Sequence, residues 1–538
     1  MSFKYIYKIL SIKKLNIKIF FNEHGKREQN INFKYKCCFL NMKLFIIIFF
    51  GISSILKSLS FDSTKDSIYF EFEPIIVTVD RFELNLIKSP FSVDKIINQN
   101  YEKNVSINDL INSSAGVFNQ NENNFAQDLR VSIRGFGARS SFGIRGIKIL
   151  VDGIPESTPD GQSQVDNIDM GFIEKIEIIK GLISSQYGNS SGGVISLTSN
   201  KIDDISFLET RYLIGSYGLN QFQIKTSKKF NKSNYLFSFS RNQGNGFREH
   251  SKFLSNIFNA KINWFISKKL KFLFLYNYSN SPIAQDPGAL SLENINLNWK
   301  GARDKNLLFN SGEKVNQSKI GFIVEQKFNK TQIYKFKTYY ISRSFNNRLP
   351  FQNGGQVEFS RNFFGLSNLL LLRKNLFGFS SNLSIGLDIE SQIDLRNRYD
   401  NLNGIRGNKV FQQDEIFLNQ AFFIDQKVNF SKKIDLIIGA RYDNNSIKAI
   451  DKYFDDGNSS GDIHLSNFSP KIALVYSDNN QTLFSNIASN FETPTLNEFS
   501  NNPNLSGGFN QQLYPQFSRQ IEFGVRTFKK SFIYNFSF

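Results

Sequence analysis

The chain has 538 residues, a formal net charge of +18, and 15 % aromatic residues, including 57 Phe and 20 Tyr. Beyond residue 60 there is no run of about 20 apolar residues, which excludes helical membrane spans. No basic run is interleaved with a nucleic-acid-binding motif, so the positive charge does not point to DNA or RNA.

Residues 1–41 carry nine Lys/Arg and read as an upstream over-reading ahead of Met42. Met42-Lys43 followed by LFIIIFFGISSIL has the basic start and apolar core of a secretory signal, predicted over 42–60 with Ser58-Leu59-Ser60 at its cleavage end. Removing both segments leaves 54 basic against 45 acidic residues, a charge of +9. Both cysteines, Cys37 and Cys38, precede the apolar core, so a lipid anchor is not expected and the remainder is cysteine-free. Residues 61–80 form a polar tail that ends in Glu73-Pro74-Ile75-Ile76-Val77-Thr78-Val79. Such a β-branched segment can add itself as an edge strand to another protein, or open the next domain as its first strand.

An α+β domain is predicted over 81–201. Ser106-Ile107-Asn108-Asp109 ahead of Leu110 and Ile111 has the pattern of a capping box and predicts a short helix ending near Gly116. The run FAQDLRVSIRGFGARSSFGIRGIKILVDGIPESTPDGQSQ, residues 125–164, interleaves strands at Leu129–Ile133 and Ile147–Val151 with Gly/Arg/Ser turns. A third strand follows at Ile173–Ile179, then the glycine cluster YGNSSGGVIS at 187–196. From about residue 205 the period becomes two. Tyr235, Phe237 and Phe239 alternate with Asn234, Ser238 and Ser240, and Phe468, Ile472, Leu474 and Tyr476 oppose Ser469 and Lys471. Ile521, Phe523 and Val525 oppose Gln520, Glu522 and Arg526. Aromatics on one face and polar groups on the other fit a barrel with lipid outside and water inside. About fifteen such strands are predicted over 202–538.

No enzyme constellation is present. His24, His250 and His464 are far apart without metal-ligand spacing, so neither metal nor cofactor is expected. Asp152 and Asp160 flank a Gly/Pro turn and read as turn formers. The pattern GFGARSSFGIRG neither follows the dinucleotide fingerprint nor opens a helix. Arg139, Ser140, Ser141, Phe142 and Arg145 place two guanidiniums, hydroxyls and a ring within seven residues, and Gln162 and Gln164 add amides. Guanidinium forks pair with carboxylates and a ring stacks on a planar ligand, so these are candidate ligand-binding residues. The same arginines would equally serve to pair with carboxylates of the barrel.

The succession of strands and glycines from 125 to 196 resembles the plug domain of TonB-dependent outer-membrane receptors. Within that family it is most similar to the pyrroloquinoline quinone receptor, as is the turn Ser281–Gly288. NFETPTLNEF at 490–499 and SRQIEFGVR at 518–526 resemble late-barrel elements of the family. The resemblance implies a mainly β fold: an antiparallel transmembrane β-barrel holding about 15 of 22 strands, behind an N-terminal α+β plug domain. An open sheet cannot sit in hydrocarbon, so a C-terminally incomplete barrel is expected, with closure as a smaller barrel ending in Phe538 as the alternative. It further implies that residues 73–79 are a TonB box engaging TonB and its inner-membrane energising complex. Arg134 and Lys180 would lock the plug to barrel glutamates, with Glu492 and Glu522 as partners. Lys180 lacks the fork of an arginine, which leaves a bidentate lock there in doubt. The implied function is active uptake of a scarce anionic, pyrroloquinoline quinone-like ligand by a monomer in the outer membrane of a Gram-negative bacterium. A ferric-siderophore receptor, a non-transporting barrel and a non-functional gene fragment are the alternatives.

Overall fold

The computed structural model describes residues 89–98, 105–121, 123–140, 143–181, 183–202, 206–478, 481–500, 508–529 and 532–538. The signal segment, residues 73–79, Ser141 and Phe142 lie outside the described residues.

The smaller domain contains β1 (Ser92–Ile97), α1 (Asn108–Ile111), β2 (Val117–Gln120), β3 (Arg130–Ile133), β4 (Ile144–Arg145) and β5 (Ile147–Val151). It continues with β6 (Ile154–Pro155), β7 (Gln162–Ser163), β8 (Ile173–Lys180), α2 (Ser184–Tyr187) and β9 (Gly193–Ser199). Its main sheet has the order β1-β8-β9-β5-β6, with β5 and β9 parallel and the other pairs antiparallel. A sheet covered on both faces is buried along its strands, and Ile147–Val151 and Gly193–Ser199 are buried almost throughout, with Lys148, Ser196, Thr198 and Ser199 as polar members. One face packs Ile133, Ile149, Ile176, Ile178, Ile195 and Leu197 together. The other packs Phe91, Val93, Leu150, Ile179, Ile183 and Val194. Each such side chain contributes on the order of 1.5–3 kcal/mol through burial.

The helix expected to run to Gly116 is a single turn ending at Ile111. Asp109 accepts the backbone N–H groups of Val105 and Ser106, but no side chain caps the turn at Ile107. The Ser113 hydroxyl donates to the Leu110 carbonyl and competes with helix propagation.

The larger domain is one antiparallel sheet of fifteen strands, each paired with its sequence neighbour. These are β10 (Phe207–Ile214), β11 (Asn220–Lys229), β12 (Ser233–Gly244), β13 (Phe253–Ser267) and β14 (Leu270–Gln285). After α3 (Leu292–Asn298) and α4 (Asp304–Leu308) come β15 (Gly312–Asn329), β16 (Gln332–Arg348), β17 (Gln356–Leu376), β18 (Phe379–Leu402) and β19 (Ile405–Asn429). Then follow β20 (Ile434–Asp451), β21 (Gly461–Ser477), β22 (Gln481–Glu492), α5 (Leu496–Phe499), β23 (Gln516–Lys529) and β24 (Phe532–Ser537).

Tight turns such as 268–269, 330–331 and 377–378 mark one end of the sheet, and the connections at 245–252, 286–311 and 493–515 mark the other. In outer-membrane barrels short turns are periplasmic and long loops extracellular. The period of two holds in three dimensions. Phe468 and Phe523 are 60 % and 58 % exposed on the outer face, whereas Glu522 and Lys471 are buried inside.

The sheet wraps the smaller domain, and the interface between them is largely polar, with Ile154 packed on Leu273, Leu275, Ile323 and Phe363 as an apolar patch. Gln223 donates to Asp169 at 2.9 Å and Lys261 to Ser199 at 2.7 Å. Lys148 lies 3.5 Å from Glu390, and Arg441 donates to the Gln186 carbonyl. At the start of β1 the barrel holds the backbone directly. Arg526 donates to the carbonyls of Ser89 and Phe91, and Asn486 donates to that of Pro90 at 2.7 Å.

Candidate functional site

Two carboxylates on β22 and β23 gather the arginines of the plug. Glu492, only 3 % exposed, accepts from Arg139 at 3.1 Å and from the Ser191 hydroxyl at 2.6 Å, and forms an ion pair with Arg145 at 3.1 Å. Arg145 also reaches Glu498 at 2.6 Å and donates to the Thr493 carbonyl. The geometry depends on Gly146 at φ +66°: a Cβ there would lie 2.4 Å from both Glu492 Oε2 and Ser191 Oγ. The rest of the 490–499 segment is tied to the plug as well. Asn490 bonds Ser184 N and Ser190 O, and Thr493 exchanges two hydrogen bonds with Asn189.

Arg134 has a positive φ of 51° in the turn after β3, which aims its side chain at the wall. It lies 2.8 Å from Glu522 and donates to the Ser537 hydroxyl. The second oxygen of Glu522 accepts from Asn486 at 3.0 Å. Lys180 stays within the plug, contrary to its expected barrel contact. It lies 2.5 Å from Asp94 and donates to the Ala115 carbonyl, because the register of β1 on β8 brings Asp94 alongside.

The candidate ligand residues are placed as follows. Arg139 keeps a side chain 56 % exposed, while Arg145 is buried between Glu492 and Glu498. Ser140 is buried and donates to the Gly143 carbonyl. Gln162 pairs in β7 against Arg145 of β4, and Gln164 hydrogen-bonds Asp128. Sequence reasoning missed Glu498, although Thr495-Leu496-Asn497-Glu498 is a capping box, formed in the structure at α5. It also missed Ser191 and Asn189, which carry no local signal. Among the described residues no group of three or more His, Cys, Asp or Glu could hold a metal ion.

Asp128 responds to this enclosure. Burial pushes its carboxyl up to about 6 from 3.8, repulsion from Asp166 adds to the shift, and Arg343, Gln164 and Arg361 oppose it. The folded chain therefore holds a proton that the unfolded chain has lost between those values, and folding stability falls as pH rises through that window. Asp128→Asn should be more stable than the parent above about pH 6, with the gap closing towards about pH 4. Urea unfolding midpoints of both proteins across this range test it; a gap independent of pH refutes it.

A folded domain seated by ion pairs inside an antiparallel, aromatic-faced membrane sheet defines a plugged outer-membrane barrel receptor. The chain belongs to the TonB-dependent receptors. Residues 263–538 match the family model of the TonB dependent receptor-like beta-barrel, and residues 85–194 match that of the TonB-dependent receptor plug domain. The ferrioxamine B receptor of Salmonella typhimurium (strain SL1344) is 20 % identical over 455 residues, which cover 77 % of this chain and 63 % of that protein. The chain thus spans less than two thirds of the length of the curated relatives it matches. Among solved structures, the ferric citrate transporter FecA in unliganded form superposes with a TM-score of 0.72 at 16 % identity, covering 83 % of this chain and 69 % of that one. The ferric yersiniabactin uptake receptor FyuA from Yersinia pestis gives 0.64 at 12 %, covering 82 % and 70 %.

Proposed function

We propose that the chain is a receptor for TonB-dependent uptake of a scarce ferric chelate across the outer membrane of a Gram-negative bacterium, working as a monomer in outer-membrane lipid. The observation that carries this reading is the set of ion pairs that seat the plug, Arg134–Glu522 and Arg139/Arg145–Glu492, beside a small apolar contact of Ile154 with Leu273, Ile323 and Phe363. Buried pairs hold firmly while both partners stay, and removing one partner is costly. Ligand bound at the outer face makes residues 73–79 available to TonB, and the energised pull frees the plug.

The relatives described above are named for ferric ligands, which favours a ferric chelate over pyrroloquinoline quinone. The quinone reading comes from the resemblance of residues 125–196 and 281–288, with Arg139 and Arg145 as candidate ligand residues, and both arginines are paired with Glu492. The test is whole-cell accumulation of radiolabelled iron presented as hydroxamate and citrate chelates, alongside pyrroloquinoline quinone, in cells lacking their own receptors. Accumulation of one ferric chelate that stops on adding a protonophore is expected. Entry of the quinone alone, or accumulation indifferent to the protonophore, would sink the proposal.

A further inference from the structure

A chamber apart from the Glu492 cluster opens between the plug and the wall formed by β12 to β15. Asn121, Phe125 and Asp128 of the plug line it together with Asn242, Ser255 and Glu313 of the barrel, and it offers about 100 Å³ of free space. Asn242 and Glu313 stand beside the long connections at 245–252 and 286–311, so the chamber faces the extracellular side.

Its chemistry is one-sided. Asp128, Asp166 and Glu313 bring three carboxylates to the lining. The guanidinium nearby, Arg343, is turned to Asp166 by two bonds of 3.1 and 2.9 Å and to Gln317 by a third. The plug amides of the lining are engaged: Asn124 and Gln127 donate to Asp286, and Asn121 donates to the Asp128 carbonyl. Acceptors are left over. Asn242 is 7 % exposed and its Oδ1 has no hydrogen-bond partner; the Ser255 hydroxyl beside it is also unpaired. Glu313 is equally buried at 7 % exposure. A buried acceptor without a donor is costly, and a cationic donor would answer both the charge and the orphaned oxygen. Part of the remaining wall is apolar: Phe125 stacks on Phe253 with ring centroids 3.7 Å apart, next to Leu129 and Ile257, with Ser106 and Ser281 beside them.

We propose that this chamber takes up an alkylammonium arm of the ligand, the ammonium meeting Glu313, Asp128 and Asn242 Oδ1 while its methylenes lie along Phe125 and Phe253. The ligand is then a chelate bearing a free amine rather than a purely anionic one. The idea rests on reading the chain as a ligand-gated receptor and specifies what that ligand carries. A bare metal ion does not suit the lining, since no metal-holding cluster exists among the described residues.

The test uses the purified full chain in detergent with dansylcadaverine, a fluorescent primary amine on a short methylene stem, and its N-acetyl derivative. Saturable binding of the amine is expected, with the acetylated probe at least about tenfold weaker. Glu313→Gln should lose a similar factor, and Asn242→Ala a smaller one. The comparison of the two probes on the unmodified chain needs no variant to fold. Equal binding of both probes, or no saturable binding, overturns the inference. Uptake of a ferric hydroxamate, measured separately, distinguishes the two levels. Amine-selective binding without energised uptake would remove the transport reading and leave the chamber. Energised uptake that ignores acetylation of the chelate's amine would leave transport and remove the chamber.

Discussion

Replacing Glu492 with alanine is expected to release the plug from its seat more readily than any other single change in the barrel wall. The carboxylate serves Arg139, Arg145 and Ser191 at once, and its removal strands two guanidiniums beside the wall. Breaking a buried pair typically costs roughly 3–5 kcal/mol. The low end applies here, because Glu498 still faces Arg145 and Arg139 is more than half exposed. Glu492→Gln keeps the shape and one acceptor and should fall between the parent and the alanine variant. Protease cleavage of the plug in folded, detergent-purified protein reads the difference. Cleavage of Glu492→Ala at the parental rate would show that the cluster is not what holds the plug.

Deleting residues 73–79 should reduce uptake to the level of cells without the receptor while leaving insertion in the outer membrane intact. The argument is geometric. Edge-strand addition gains its affinity from main-chain hydrogen bonds, and an extended β-branched segment is preordered for it. The deletion leaves in place every described strand and core residue of the plug, from Phe91 and β1 at Ser92 onward. Substituting Ile76→Pro within the full-length chain should act similarly, because proline removes a donor from the added strand. Uptake that survives the deletion would favour a barrel without energised transport.

Much of the fold is written locally. Strand faces follow from residues two apart, so Phe468, Ile472 and Leu474 on one side of β21 and Ser469 and Lys471 on the other are visible in sequence. Ile147–Val151 coincides with β5, and Ile173–Ile179 falls one residue short of β8. The site is less legible, because its pairs join residues separated by hundreds of positions. Arg134 and Glu522 could be matched only through resemblance to a family. Lys180 shows why that route has limits. Its partner, Asp94, is chosen by the register of β1 on β8, a property of strand pairing that no residue pattern displays. The orphaned oxygen of Asn242 is likewise a product of enclosure and has no signature in sequence.

The clasp on residues 89–91 decides the order in which the assembly yields to mechanical load. Among the described residues, force applied to the chain ahead of Ser89 meets first the three carbonyls held by Arg526 and Asn486. Asn486 also steadies Glu522, the partner of Arg134, so opening the clasp weakens the neighbouring ion pair before any force reaches it. Behind the clasp, β1 pairs with β8 over six residue pairs and with no other strand among the described residues. A pull across the sheet opens such a pairing one pair at a time. The force required is then that of the hardest single step, around Lys180 and Asp94, rather than the sum of all the bonds.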